Sequence, residues 1–305
     1  MQNKIKKLGK SIRKNFGLYV MLAIPLAWYI IFKYIPMYGL QIAFRRFNPT
    51  LGITKSPWVG LTYFKQFFGS YYFSDILWNT VSLSLFTMLV GFPMPIILAL
   101  IINEIKNLKF KKAIQNITYM PNFLSVVVIV SMLTLFSNRD YGLFNKITGL
   151  FGCTPVDFMS KPNYFQPLYV FSNVWQYMGF NAIIYIAALS GVDQELYEAA
   201  SIDGATRMQK IIHISLPCIM STIIVLFIMR IGNLMSVGFE KVYLMQNSVT
   251  LSASEVISTF IYKNGIQKGQ FSYSTAVGMF NSVINFILLV SANLVSKKTT
   301  KTSLW

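Results

Sequence analysis

Histidine occurs once in the 305 residues, cysteine twice, and Asp and Glu together ten times, so the chain is short of the side chains that hold metals and move protons. The one histidine is His213, and neither Cys153 nor Cys218 has a Cys or His neighbour at metal-ligand spacing, which excludes a zinc site. There is no G-x-S-x-G, no H-E-x-x-H and no pair of carboxylates within one apolar run, so no catalytic residue is expected. Gly9-Lys10-Ser11 resembles the end of a phosphate-binding loop, but Lys4 stands where that loop needs glycine; the chain is not expected to hydrolyse nucleotide by itself. Charge is scarce as well. Only 12% of residues are charged, against about a quarter in ordinary soluble domains, and this excludes a water-soluble globular protein.

What the chain has instead is apolar surface: 54% hydrophobic residues, 15% aromatic and a mean hydropathy of +0.51. Six apolar runs approach the roughly 20 residues that cross a bilayer: 17–34, 78–102, 117–136, 165–189, 216–237 and 273–295. Each must be helical, because hydrocarbon leaves backbone N–H and C=O groups no partner outside the segment. Pro25, Pro93, Pro95 and Pro121 predict kinks within these runs. The expected fold class is an all-α membrane protein with six transmembrane helices, and residues 1–305 form one domain.

Of the 27 Lys and Arg residues, 15 fall in the N-terminal arm, the second and fourth connections and the C-terminal tail. The arm holds Lys4, Lys6, Lys7, Lys10, Arg13 and Lys14, and the second connection holds Lys106, Lys109, Lys111 and Lys112. Eleven lie toward the opposite side, ten on its longer loops and Lys33 at the outer end of the first run, with Arg230 deep inside the fifth. The positive-inside rule therefore predicts cytoplasmic N- and C-termini in a multi-pass cell-membrane protein whose basic loops face anionic lipid. The charge is scattered between apolar runs and forms no face, so no nucleic acid partner is expected. A basic arm followed by an apolar run also suits a signal peptide, but no A-x-A site follows Phe32, and the first run reads as a retained anchor. Cys153 and Cys218 fall on opposite sides of the bilayer, where they cannot pair and read as packing residues.

The fourth connection, 191–217, holds four of the ten carboxylates on the side that should be basic: Asp193, Glu195, Glu198 and Asp203. Something other than lipid is expected to contact it. A helix opening near Asp193 carries small Ala199, Ala200 and Ser201, which allow close approach; Gly204 permits a sharp turn, and Pro217 suits the first turn of the fifth run. Two short helices across the cytoplasmic face follow. A plain amphipathic interfacial helix would have the same pattern.

Glu198-Ala199-Ala200 followed by Gly204, Ile214, Leu216 and Pro217 resembles the EAA loop of binding-protein-dependent ABC importers. Tyr34-Ile35-Pro36-Met37-Tyr38-Gly39, Ser56-Pro57-Trp58-Val59-Gly60-Leu61, Asn103-Glu104-Ile105, Tyr119-Met120-Pro121 and Gly238-Phe239-Glu240 are similar to the sugar permeases of the branch that imports complex oligosaccharides and polysaccharide fragments. Asn122 departs from the histidine expected there. The resemblance implies the transmembrane domain of a type I ABC importer, forming half of a heterodimeric path with a second homologous permease. It implies a cytoplasmic ATPase dimer, which would hold ATP and magnesium, so that no cofactor belongs to this chain. An extracytoplasmic solute-binding protein would deliver the oligosaccharide. Glu198, Ala199, Ala200, Ser201, Asp203 and Gly204 would form the helix that sits in a groove of the ATPase.

Before that loop, Asn173, Gln176, Tyr177 and Phe180 recur at i, i+3, i+4 and i+7 and share a stripe of the fourth run. Amides suit sugar hydroxyls and aromatic rings suit the C–H face of a pyranose; the alternative is inter-helix glue. In sugar permeases the helices before and after the EAA loop line the sugar site, which adds Arg230 and Asn233. Arg230 is the ionised group deep within a run, about 21 Å beyond Leu216 along a helix, and by default marks a pathway or a pair. Its partner could be Glu240, the second permease, helix carbonyls or a carboxylate on the substrate. A channel or sensor component without ATP coupling, a permease for another solute, or a membrane glycosyl-transfer enzyme are the rival readings; the EAA spacing opposes the first, and the lack of a D-x-D metal motif opposes the last.

Overall fold

The structure is a computed structural model that describes residues 14–300 and 302–305; the basic arm through Arg13, and Lys301, lie outside the described residues. The described residues are helical, with one isolated backbone bridge, between Arg45 and Trp58. The principal helices are α1 (Phe16–Phe44), α2 (Phe73–Asn103), α3 (Leu108–Phe123), α4 (Val126–Ser137), α5 (Pro162–Ser190), α6 (Gln194–Ile202), α7 (Arg207–Cys218), α8 (Met220–Ile231), α9 (Phe239–Met245) and α10 (Phe271–Thr300). α1, α2 and α10 are each long and apolar enough to cross a bilayer, and up to five crossings result if α3/α4 and α7/α8 each count as one. α5 has 29 residues, enough to cross, but its amides and tyrosines make it less apolar than those three.

The prolines act differently at different sites. α2 runs on through Pro93 and Pro95, whereas α3 and α4 meet at 98°, so the third apolar run is a broken helix rather than the kinked one expected. Leu124 turns extended after the short Met120–Phe123 turn that Pro121 opens, and Ser125 restarts the helix by accepting the Val128 N–H at 3.3 Å. The break frees the Leu124 carbonyl, which Gln176 from α5 satisfies at 3.2 Å. α7 and α8 likewise meet at 62°, at Ile219, which shortens the helical part of the fifth run to Met220–Ile231.

α5 is the central element, packed on both halves of α2 and on α3. At its tightest approach a Cβ on Gly179 would land on the Thr118 carbonyl of α3, so only glycine fits there. Leu83, Val130, Leu133, Val170 and Val174 form one buried cluster between α2, α4 and α5, and Ala99, Ala182, Leu189 and Ile219 form another toward the other end of α5. Polar bonds join the elements that the apolar clusters bring together: Asn79 of α2 donates to the Ser252 carbonyl at 2.8 Å, and Gln166 of α5 to the Ser82 hydroxyl at 2.8 Å. In contrast, no residue of Phe16–Met37 is buried. Only the end of α1 is anchored: Ser272 donates to the Arg45 carbonyl at 2.7 Å, and the Arg45 guanidinium donates to the Thr54 and Ser56 carbonyls at 2.8 Å each. Cys153 and Cys218 are unpaired and both exposed, so neither packs inside the chain as expected; each lies at the margin of a helix, where neighbouring segments leave it uncovered.

Candidate functional site

A cavity of about 630 Å³ lies between α2, α5 and the end of α8, closed on one side by the first turn of α9. α5 supplies its longest wall, through Tyr169, Asn173, Tyr177, Asn181 and Tyr185, each four residues after the last. That spacing keeps a helix stripe facing one way, and sixteen residues of it extend about 24 Å at 1.5 Å per residue. Ser84 and Thr87 of α2 face it from the opposite wall.

α8 ends at Ile231, and this end builds the third wall. Gly232 lies so close to α10 that a Cβ would come within 2.6 Å of Leu289. Asn285 of α10 then accepts the Met235 N–H and donates to the Ser236 hydroxyl, both at 2.9 Å, and so holds the turn that leads into α9. Arg230 and Asn233 project from this corner into the cavity. Arg230 sits in the last turn of α8, where unpaired helix carbonyls favour a cation. Its side chain makes no hydrogen bond or ion pair among the described residues, so Glu240, which lines the same cavity, is not its ion-pair partner. Asn233 donates to the Met229 carbonyl at 3.1 Å, leaving its amide oxygen open to the cavity.

The cavity thus collects Asn173, Tyr177, Arg230 and Asn233 of the six sequence-predicted residues. It leaves out two. Gln176 is 1% exposed and turned to Leu124, and Phe180 lies outside the cavity, with its ring edge-on to Phe123 at 6.4 Å. One residue step on a helix is about 100°, so Gln176 and Tyr177 face different neighbours although they share a broad stripe. Sequence reasoning missed Lys241, which is buried in the cavity wall beneath Tyr169. Hydropathy could not flag it, because it falls in a connection beyond the fifth run. The one available signal was its place directly after Gly238-Phe239-Glu240.

The segment after α5 is organised by its own side chains. Asp193 caps α6 by accepting the Glu195 N–H at 3.0 Å. Gly204 ends the turn after α6 at φ +77°, and the Ala205 N–H reaches back to the Ala200 carbonyl at 2.9 Å. Thr206 and Gln209 then cap α7 reciprocally. Two contacts fasten the pair: Tyr197 to Ser215 at 2.9 Å between hydroxyls, and Lys210 Nζ to Ser201 Oγ at 2.6 Å. No residue of α6 is buried; Glu198, Ala199, Ser201, Asp203 and Gly204 are exposed and Ala200 is half-buried. Exposed Leu196 and Ile202 lie on the same helix, giving it an apolar outer face with none of the described residues upon it.

Comparison with known proteins gives these features a family. Residues 91–301 match the family described as the binding-protein-dependent transport system inner membrane component. The chain is similar to the protein LplB of Bacillus subtilis (strain 168), 43% identical over 94% of this chain and 91% of the relative. It is similar to the polygalacturonan/rhamnogalacturonan transport system permease protein YteP of the same organism, 40% identical over 97% and 92%. A solved bacterial ABC transporter involved in the import of the acidic polysaccharide alginate contains a chain that superposes with a TM-score of 0.88 at 39% identity, covering 96% of this chain and 99% of that one. A chain of a solved bacterial alginate ABC transporter in complex with alginate pentasaccharide-bound periplasmic protein likewise superposes with a TM-score of 0.88 at 39% identity, covering 97% of this chain and 99% of that one.

Proposed function

The chain belongs to the family of binding-protein-dependent transport system inner membrane components, and on that premise we propose how it works as a sugar permease subunit of an ABC importer. It is a transport subunit and not an enzyme. In our reading six crossings, formed by α1, α2, α3 with α4, α5, α7 with α8, and α10, provide half of a path completed by a second homologous permease. N- and C-termini are cytoplasmic, and α6 therefore lies on the cytoplasmic face.

Its substrate is an oligosaccharide or polysaccharide fragment, in keeping with the polygalacturonan/rhamnogalacturonan named for YteP. An extracytoplasmic binding protein releases the sugar toward the cavity, where Asn173, Tyr177, Arg230 and Asn233 hold it. A cytoplasmic ATPase dimer, carrying ATP and magnesium, grips α6. When ATP closes that dimer, α6 moves with it, and α7 passes the movement to α8 and the cavity wall. The path opens outward, and hydrolysis resets it.

The observation that carries this reading is α6: a capped helix with no buried residue among the described residues, leading through Gly204 and α7 into the helix that presents Arg230 to the cavity. Reconstitution tests it. The purified assembly of both permeases with the ATPase should hydrolyse ATP slowly alone and several-fold faster with sugar-loaded binding protein. ATPase activity indifferent to the binding protein would contradict it.

A further inference from the structure

Lys241 is 4% exposed, and its Nζ has no hydrogen-bond partner among the described residues. The ammonium stands over the Tyr169 ring, 5.7 Å from the centroid, in the wall of the cavity. A ring face offsets only part of what a buried cation loses in leaving water. Burial pulls its pKa down to about 8, which still leaves it mostly protonated at neutral pH. Arg230 lines the same cavity and is also without an ionic partner among the described residues. Glu240 is the carboxylate of the described lining; it is exposed and pairs with neither cation. The remaining polar lining, including Asn173, Tyr177 and Asn233, is neutral. The cavity therefore holds two cations against one carboxylate, and neither cation has an anionic partner among the described residues.

We infer that Lys241 and Arg230 form a carboxylate-binding subsite in the sugar path, so that the oligosaccharide this chain admits carries uronate residues. This deepens the reading of the cavity as the sugar path and rests on it. The planar Arg230 fork matches the two oxygens of a carboxylate, while the compact Lys241 ammonium supplies a second charge from α9. Neutral hydroxyls would leave both charges uncompensated. Arg230 is exposed to the open cavity while Lys241 is buried in its wall, so an arriving carboxylate meets Arg230 first and Lys241 adds the second charge from the wall.

The test uses the assembled importer, with both permeases and the ATPase, in nanodiscs without binding protein. The probes are trigalacturonate and the neutral trimer made by reducing its carboxyl groups. Wild type should bind the acidic trimer about tenfold or more tightly than the neutral one, the loss expected for a charge-assisted bond. Lys241→Met should weaken the acidic trimer by about tenfold and leave the neutral trimer unchanged, and Lys241→Arg should restore most of the preference. Equal losses for both trimers, a preference untouched by Lys241→Met, or no preference in wild type would each overturn the subsite. So would a fall in melting temperature in Lys241→Met with no change in selectivity, since that marks Lys241 as the partner of a carboxylate in the second permease. Stimulation of ATPase activity by loaded binding protein is measured on the same samples. If it persists while the preference is absent, the subsite falls and the permease reading stands; if wild type lacks it, the permease reading falls.

Discussion

The Tyr197 hydroxyl of α6 lies 2.9 Å from the hydroxyl of Ser215, a residue with no exposed surface in α7. It ties an otherwise uncovered helix to the segment that runs on into α8 and the cavity. A helix that only rested on the surface could be pushed without moving anything else; this one is hinged at Gly204 and bonded beyond it.

Tyr197→Phe removes that bond and little else, at a cost of about 1 kcal/mol. The assembled importer should keep its melting temperature within a few degrees, hydrolyse ATP, and move fewer sugars per ATP than wild type. Counting labelled sugar against released phosphate in proteoliposomes checks it; an unchanged ratio would show that the bond does not transmit movement.

Gly204→Val should be harsher. The residue has φ +77°, a region that costs a side-chain-bearing residue about 1 to 2 kcal/mol and a β-branched one more. The turn between α6 and α7 should open, so that the two permeases still assemble but ATPase activity no longer responds to loaded binding protein. Full stimulation and uptake in this variant would remove α6 from the mechanism.

Two residues one position apart should behave in opposite ways. Tyr177→Ala, in the cavity, should raise the sugar concentration needed for half-maximal uptake with the fold intact. Gln176→Leu should leave the Leu124 carbonyl bare at the break between α3 and α4, costing about 1 to 3 kcal/mol, and lower the melting temperature without changing sugar preference. Thermal unfolding and uptake measured on the same preparations separate the two; a preference change in Gln176→Leu would place it in the path after all.

Close packing makes a further prediction. Gly179→Ala pushes a methyl group into the Thr118 carbonyl, forcing α3 and α5 apart at a cost of about 1 to 3 kcal/mol or more. Yield of the assembled complex should fall sharply, and Gly149→Ala, where a Cβ meets nothing within 4 Å, is the control.

Much of this was legible in local chemistry. Asp193 and Gly204 announce a cap and a left-handed turn, because each acts within a few residues of itself; Pro217, expected in the first turn of the fifth run, lies instead in the last turn of α7, just before the break at Ile219. The apolar runs were legible for the same reason, although the breaks at Leu124 and Ile219 were not: a break becomes stable only when a distant group, such as Gln176, satisfies what it frees. The cavity was half legible. Asn173 and Tyr177 lie one turn apart on a single face, but no spacing rule says that Gln176 turns toward α3 or that Phe180 meets Phe123. Lys241 was hidden because its burial comes from Tyr169, 72 positions earlier in the chain.

Orientation rests on the distribution of Lys and Arg and has its own check. With Cys153 and Cys218 replaced by serine, cysteine at Ser70 or Lys268 should react with a membrane-impermeant thiol reagent in intact protoplasts. Cysteine at Lys109 or Thr302 should react only after permeabilisation. The opposite pattern would invert the chain and place α6 outside, beyond reach of an ATPase.

The central claim is that this chain conducts a sugar only when an ATPase works through it. The most direct measurement is loss of the labelled oligosaccharide carried by its binding protein from proteoliposomes holding both permeases with the ATPase on the outer face and binding protein enclosed within. The account predicts export of the sugar from the lumen that requires both ATP outside and binding protein inside, and that stops in Gly204→Val. Sugar movement that runs down its gradient without ATP, at the same rate in wild type and Gly204→Val, would contradict it.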